Sequence, residues 1–101
     1  MTGIELIEEE RQRQITEEGW TLEHDDHHTG GEIARAAGCY VIGGWLEHNT
    51  GPVPYTPLAW PWDDEWYKPI PNDRIRELVK AGALIAAEID RLQRASIERK
   101  I

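Results

Sequence analysis

The chain has no phenylalanine, one cysteine and no long apolar run. Cys39 is alone, so no internal disulfide can form, and two- and four-cysteine zinc sites are excluded. No window approaches the ~18 uncharged apolar residues of a membrane helix, so no membrane span is expected. The opening segment MTGIELIEEE lacks the basic-then-apolar pattern of a secretory signal, which sets the expectation of a cytoplasmic protein. Positive charge is scarce as well. Eleven Lys and Arg face nineteen Asp and Glu, for a net charge of −8. Non-specific DNA binding rests on neutralising phosphates, so that balance argues against it and no DNA partner is expected. A small anionic ligand in a local basic pocket is not excluded. Proline is absent everywhere except residues 52–71, which hold all six.

Five Trp and three Tyr stand where Phe is missing. Indole and phenol rings join a flat apolar face to a polar edge, which suits a site touching both a ligand ring and water. The alternative is a set of core residues whose N–H and O–H groups are satisfied. With 101 residues, the chain is expected to form one domain, 1–101, with a modest core.

Periodicity and punctuation predict three helices, over about 3–18, 30–43 and 73–95. The first opens with a capping box, Thr2 and Glu5, and closes before Gly19. Ile4, Ile7 and Ile15 share one sector of it, and Glu8 and Arg11 fall inside that sector. The expectation is that Glu8 and Arg11 point into a polar cavity, with Gln14 nearby. The alternative is an ion pair at the core's edge. The second helix is expected to start at a further capping box, Thr29 to Glu32, and to end at Gly43-Gly44. The third is expected to use Asn72 as its N-cap. Its stripe comprises Leu78, Val79, Gly82, Ile85, Ala86, Ile89 and Leu92. Residues 81–87, AGALIAA, are apolar all round and read as buried. Lys80 and Glu88 bracket that segment and are expected to reach inward.

Between the second and third helices lies a Pro/Trp-rich stretch, 45–71. Tyr55, Trp60, Trp62, Trp66 and Tyr67 are too many large aromatics to leave in water. An ordered loop folded over the helices is expected, stiffened by its prolines. The fold class is therefore all-α: a small three-helix bundle with a long ordered loop. Its exposed apolar surface makes a homo-oligomer the expected state.

The stretch LEHDDHHTGGE, residues 22–32, runs into the second helix. His24 and His28 are spaced i,i+4, and Asp25 adds a carboxylate. His24, Asp25 and His28 are therefore candidate ligands of a divalent metal. A hydrogen-bonded Asp–His turn is the alternative. Glu8, Glu9, Glu32, Glu88 and Asp90 lie on helices that must pack together, and inward carboxylates can hold magnesium. Nucleotide pyrophosphohydrolases of the MazG type work this way. Glu5 and Glu8 fit their ExxE pair, but Arg35 stands where an acid is expected after Glu32. A third set of groups describes a binding pocket. Trp20, Trp60, Trp62 and Trp66 can stack on a base. Arg11, Lys68, Arg74 and Lys80 can meet phosphates. Asp25, Asp26 and His28 can bond ribose or base. Helix starts at Gly30 and Asp73 offer free N–H groups to an anion.

Three blocks carry a resemblance across nearly the whole chain: ERQRQITEEGWTLEHDDHHTGGEIARAAGCY, WPWDDEWYKP and RIRELVKAGALIAAEIDRL. Their pattern and order resemble a family of small proteins encoded by phages and prophages. The resemblance implies an accessory protein in the host cytoplasm. Small phage proteins of this kind include inhibitors of host defence, some of which sequester nucleotide immune signals. The leading expectation is thus a phage accessory protein that binds a nucleotide-derived small molecule. The alternatives are a metal-dependent pyrophosphohydrolase and a protein–protein inhibitor of a host factor.

Overall fold

A computed structural model of the protein describes residues 1–43, 45–46, 53–54, 56–70 and 72–100. The expectations for Gly44, Tyr55 and Pro71 concern positions outside the described residues. The chain is mostly helical. Its elements are α1 (Gly3–Thr16), α2 (Leu22–Asp26), α3 (Glu32–Ile42), β1 (Trp45–Leu46), β2 (Val53–Pro54), a 3-10 turn (Asp64–Trp66) and α4 (Arg74–Lys100). The strands form a two-residue antiparallel ladder, with Trp45 opposite Pro54 and Leu46 opposite Val53. No described helix is long and apolar enough to cross a membrane.

Local chemistry sets most boundaries. Thr2 and Glu5 form the expected reciprocal cap of α1. Gly19, at φ 73°, turns the chain back, so that the Trp20 N–H reaches the Gln14 carbonyl at 3.0 Å. Thr21 then caps the five-residue α2, inside a segment expected to be loop. The box expected at Thr29 does not form. Gly31, at φ 82°, is the N-cap of α3, and no side chain caps that end. Asp73, rather than Asn72, caps α4 by accepting the Arg76 N–H at 2.9 Å. Helix α4 also outruns the expected end near residue 95. Arg94 ties its later turns to α2 through Asp26 at 2.7 Å.

Helix α4 is the hub, and α1, α2 and α3 all pack on it. The core joins Ile33, Ala36, Ala37, Cys39 and Tyr40 of α3 to Ala81, Leu84 and Ala87 of α4, with Tyr67 from the loop. Trp20, Trp60 and Trp62 pack against that cluster.

Helix α1 is turned from its isoleucine stripe. Glu10 and Gln14 are buried, while Ile4 is 80 % exposed and Glu8 is exposed. Positions 10 and 14 lie on the Ile7 side of that sector, roughly 60° and 20° around the helix from Ile7, and away from Ile4 and Ile15. Two contacts with α4 explain the rotation. Ile7 lies against Gly82, where an added Cβ would come within 2.6 Å of its side chain. Glu10 meets Arg76 of α4 as well as Arg13 of its own helix. Burial pushes the Glu10 carboxyl up, but hydrogen bonds from Arg13 and Arg76 outweigh it and hold the group below the ordinary carboxylate range. Gln14 donates to Glu10 at 3.2 Å and completes the polar cluster.

Gly82→Leu is expected to cost about 1–2 kcal/mol. The overpacking penalty of ~1–3 kcal/mol outweighs the helix-propensity gain of under ~1 kcal/mol. The urea midpoint should fall, and adding Ile7→Ala should recover part of the loss. A midpoint unchanged by Gly82→Leu would place the α1–α4 approach elsewhere.

Candidate functional site

A cleft of about 470 Å³ opens between the α2 segment, the start of α3 and the tryptophan loop. Its walls are Trp20, His24, Asp25, His28, Ile33, Trp60, Pro61, Trp62, Asp63, Trp66 and Leu84. Helix α2 places the polar part. Asp25 is buried, and its carboxylate accepts from Arg11 Nη2 at 2.7 Å. Arg11 also donates to the Trp20 carbonyl at 3.4 Å, which joins α1 to the turn that carries Trp20. His24 and Trp20 present parallel rings, 8° apart in plane with centroids 6.5 Å apart. His28 stands edge-on to both His24 and Trp62, and its Nδ1 lies 3.3 Å from Glu32. The backbone at Glu32 holds that carboxyl below its ordinary range, against burial and with help from His28.

The opposite wall is a cluster of aromatic rings. Trp60 meets Trp62, Tyr40 and Tyr67 with centroids 4.9–5.7 Å apart, edge-on or tilted. Its indole N–H donates to the Asp63 carbonyl at 3.0 Å, so the ring's polar edge is satisfied within the loop. Trp66 is 58 % exposed at the rim, with the Lys68 ammonium 5.9 Å from its ring centroid.

Backbone pinning holds this wall in place. The Lys68 N–H donates to the Tyr40 hydroxyl at 3.1 Å, and the Lys68 carbonyl accepts from Lys80 Nζ at 2.9 Å. The Ile70 N–H donates to the buried Glu77. A proline-rich segment has few N–H groups to offer, so each anchor counts. Burial pushes the Tyr40 hydroxyl up from its ordinary range. Lys80, whose Nζ also lies 4.4 Å from the Tyr40 ring centroid, is pushed down to about 8 by burial.

Lys80 makes its own pH test. Its folded value lies below its unfolded value near 10.5, so the unfolded chain binds more protons between the two. Stability should rise as pH climbs from about 8 toward 10. Lys80→Met should flatten that rise in denaturation midpoints. An equal rise in the variant would assign it to other groups.

Of the residues expected to bind a ligand, the cleft brings together Trp20, Asp25, His28, Trp60, Trp62 and Trp66. Arg11 lies behind Asp25. The remaining ones are elsewhere. Glu8 is exposed on α1, so the expected inward pair of Glu8 and Arg11 does not form. Gln14 is sealed beside Glu10. Asp26 faces Arg94 on the outside. Arg74 donates to the Tyr40 carbonyl at 2.9 Å and to the Val41 carbonyl. It thereby satisfies the C-terminal end of α3, where unpaired carbonyls and the helix dipole attract a cation. Lys80 serves the loop backbone, and Lys68 lies outside the cleft. Among the described residues, no Lys or Arg side chain lines the cleft. None of the four cations expected to meet phosphate lines the cleft, and Arg11, Arg74 and Lys80 are held by Asp25, by the α3 carbonyls with Glu77, and by the Lys68 carbonyl.

The metal expectation meets a similar obstacle. Among the described residues, no group of three or more His, Cys, Asp and Glu side chains converges to hold a metal ion. Asp25 is directed to Arg11, and His28 faces Glu32 and Trp62. The carboxylates of a pyrophosphohydrolase do not gather either, since Glu5, Glu8 and Glu9 are exposed. Cys39 is buried, and burial pushes its thiol up from its ordinary range.

No family model, curated protein or solved structure matches this chain. Function therefore rests on the chemistry of the site itself.

Sequence reasoning missed Pro61, Asp63, Ile33 and Leu84 as wall residues, and it treated His24 only as a metal ligand. Trp60-Pro61-Trp62 carried a usable signal: two rings flanking a rigid residue form one surface. Glu10 and Gln14 were legible too, because with Ile7 they follow the i, i+3, i+7 helical spacing.

Proposed function

We propose that the protein is a binding module that takes the flat heteroaromatic ring of a nucleotide-derived small molecule into the tryptophan cleft. One observation carries this reading: four indoles and two imidazoles from separate segments line one cavity of about 470 Å³ around a buried carboxylate. That volume falls in the range of small-molecule sites, ~300–1,000 Å³. The rings supply sequence-tolerant stacking. Asp25 supplies an acceptor for the ring's N–H edge, fixed in place by Arg11. With acids and, among the described residues, no Lys or Arg on its wall, the cleft suits the base or nucleoside end and leaves phosphates toward solvent. Sequestration of a host nucleotide signal is the role that the resemblance to phage accessory proteins suggests.

The test is titration with adenosine, guanosine, ADP-ribose and a cyclic dinucleotide, read by tryptophan quenching and calorimetry. Binding by a nucleoside at close to the affinity of its phosphorylated form is expected. Silence across the panel from folded protein would sink the proposal. The same acid-bearing aromatic wall favours a second reading, an organic cation held by cation–π contact. Choline and a trimethylated lysine peptide belong in the panel, and their binding in place of the nucleosides would select that reading.

A further inference from the structure

A second face of the molecule lies on the other side of α4, away from the tryptophan cleft. Ile75, Leu78, Ile85, Ile89 and Leu92 of α4 are 44–69 % exposed. Ile85, Ile89 and Leu92 follow the 4-3 spacing of a coiled-coil seam, and Ile75 and Leu78 continue the ridge beyond Gly82, where Ile7 of α1 packs. Beside this ridge runs a groove of about 290 Å³ between α3 and α4. Small residues of α3, Ala34 and Gly38, open it. Val41 and Ile42, 41 % and 80 % exposed, wall one side, and Ile85 and Ile89 wall the other. The one acid on its lining, Glu88, is neutralised by Arg91 at 2.5 Å. The face is therefore apolar and without net charge on a protein of net charge −8.

We propose that this face is a homodimer interface, occupied by the same face of a second copy. Ridge and groove lie side by side on one surface. A two-fold axis between them places the ridge of each copy in the groove of the other, the self-complementarity that an isologous dimer requires. The small residues Ala34 and Gly38 provide the holes, and Ile85, Ile89 and Leu92 provide the knobs. Apolar exposure agrees. Among the described residues, seven of the thirteen exposed large apolar side chains lie on this face: Val41, Ile42, Ile75, Leu78, Ile85, Ile89 and Leu92. Such a concentration marks an interaction surface. Because the face lies away from the tryptophan cleft, the inference stands apart from the proposed ligand.

Sedimentation velocity and light scattering on the full chain decide it. The wild type is expected to be a dimer at micromolar concentration. Ile89→Glu, at a position already 51 % exposed, should keep its helical circular dichroism and weaken the dimer by roughly a hundredfold or more, since it buries an unpaired charge. Ala34→Arg should do the same from the α3 side, and it decides the matter should Ile89→Glu fail to fold. Leu58→Glu, at a fully exposed position outside this face, should leave the dimer intact. A monomeric wild type overturns the proposal, as does a dimer that survives Ala34→Arg or a folded Ile89→Glu variant.

Discussion

Asp25→Ala is expected to destabilise the protein by about 3 kcal/mol, the lower end of the ~3–5 kcal/mol seen when one partner of a buried ion pair is removed. The carboxylate is 5 % exposed and Arg11 12 % exposed, so the substitution strands a cation that water reaches poorly. The lower end applies because Arg11 keeps its hydrogen bond to the Trp20 carbonyl. A small domain has ~5–15 kcal/mol in total, so the loss is a large share. The denaturant midpoint should fall at unchanged slope. Asp25→Leu combined with Arg11→Met should recover most of the loss, because removing both charges ends the desolvation penalty. A double variant as unstable as Asp25→Ala would show that the pair itself is not the cause. The effect also has a functional side. Arg11 and Asp25 connect α1 to α2, and Trp20 and His24 flank them, so the single variant should loosen one wall of the cleft.

Trp62→Ala is expected to weaken nucleoside binding by about 5- to 150-fold, the equivalent of ~1–3 kcal/mol of base stacking. Trp62 is half-buried and makes T-shaped contacts with His28 and Trp60. Its removal deletes a wall and uncovers one edge of the core cluster it packs against, so a smaller loss of stability should accompany the loss of affinity. Trp60→Ala should behave differently. That ring packs on both Tyr40 and Tyr67, so its loss should lower stability by about 3 kcal/mol as well as affinity. Trp66, at the rim, should affect affinity alone. Calorimetry with guanosine or adenosine, paired with denaturation of each variant, separates the two kinds of effect. Wild-type nucleoside affinity in Trp62→Ala would remove the stacking role from this wall.

Much of the fold was legible from short-range signals. The Thr2–Glu5 box, the turn at Gly19 and the end of α3 at Gly43 depend on residues within one helical turn of each other. That Trp60 and Trp62 pack against the core followed from solubility: indoles must find cover. Adjacent residues with identical chemistry were harder. Asp25 and Asp26 differ by one position, yet α2 turns one toward Arg11 and the other out to Arg94. Because that helix was not foreseen, both aspartates fell in the expected site.

By itself the sequence determined the helical class, several helix limits, the lack of an internal disulfide, and the concentration of tryptophan beside the prolines. Each of these depends on composition or on groups a few residues apart. Only the tertiary structure decided where the charges went. Glu10 meets Arg76 across 66 positions, Arg74 caps α3 from 34 positions away, and Lys80 holds the backbone of residue 68. A buried charge takes whichever opposite group or carbonyl packing brings within hydrogen-bond reach, and no local pattern encodes that distance. The outcome is a cleft built of rings and carboxylates, its expected cations drawn away into the frame.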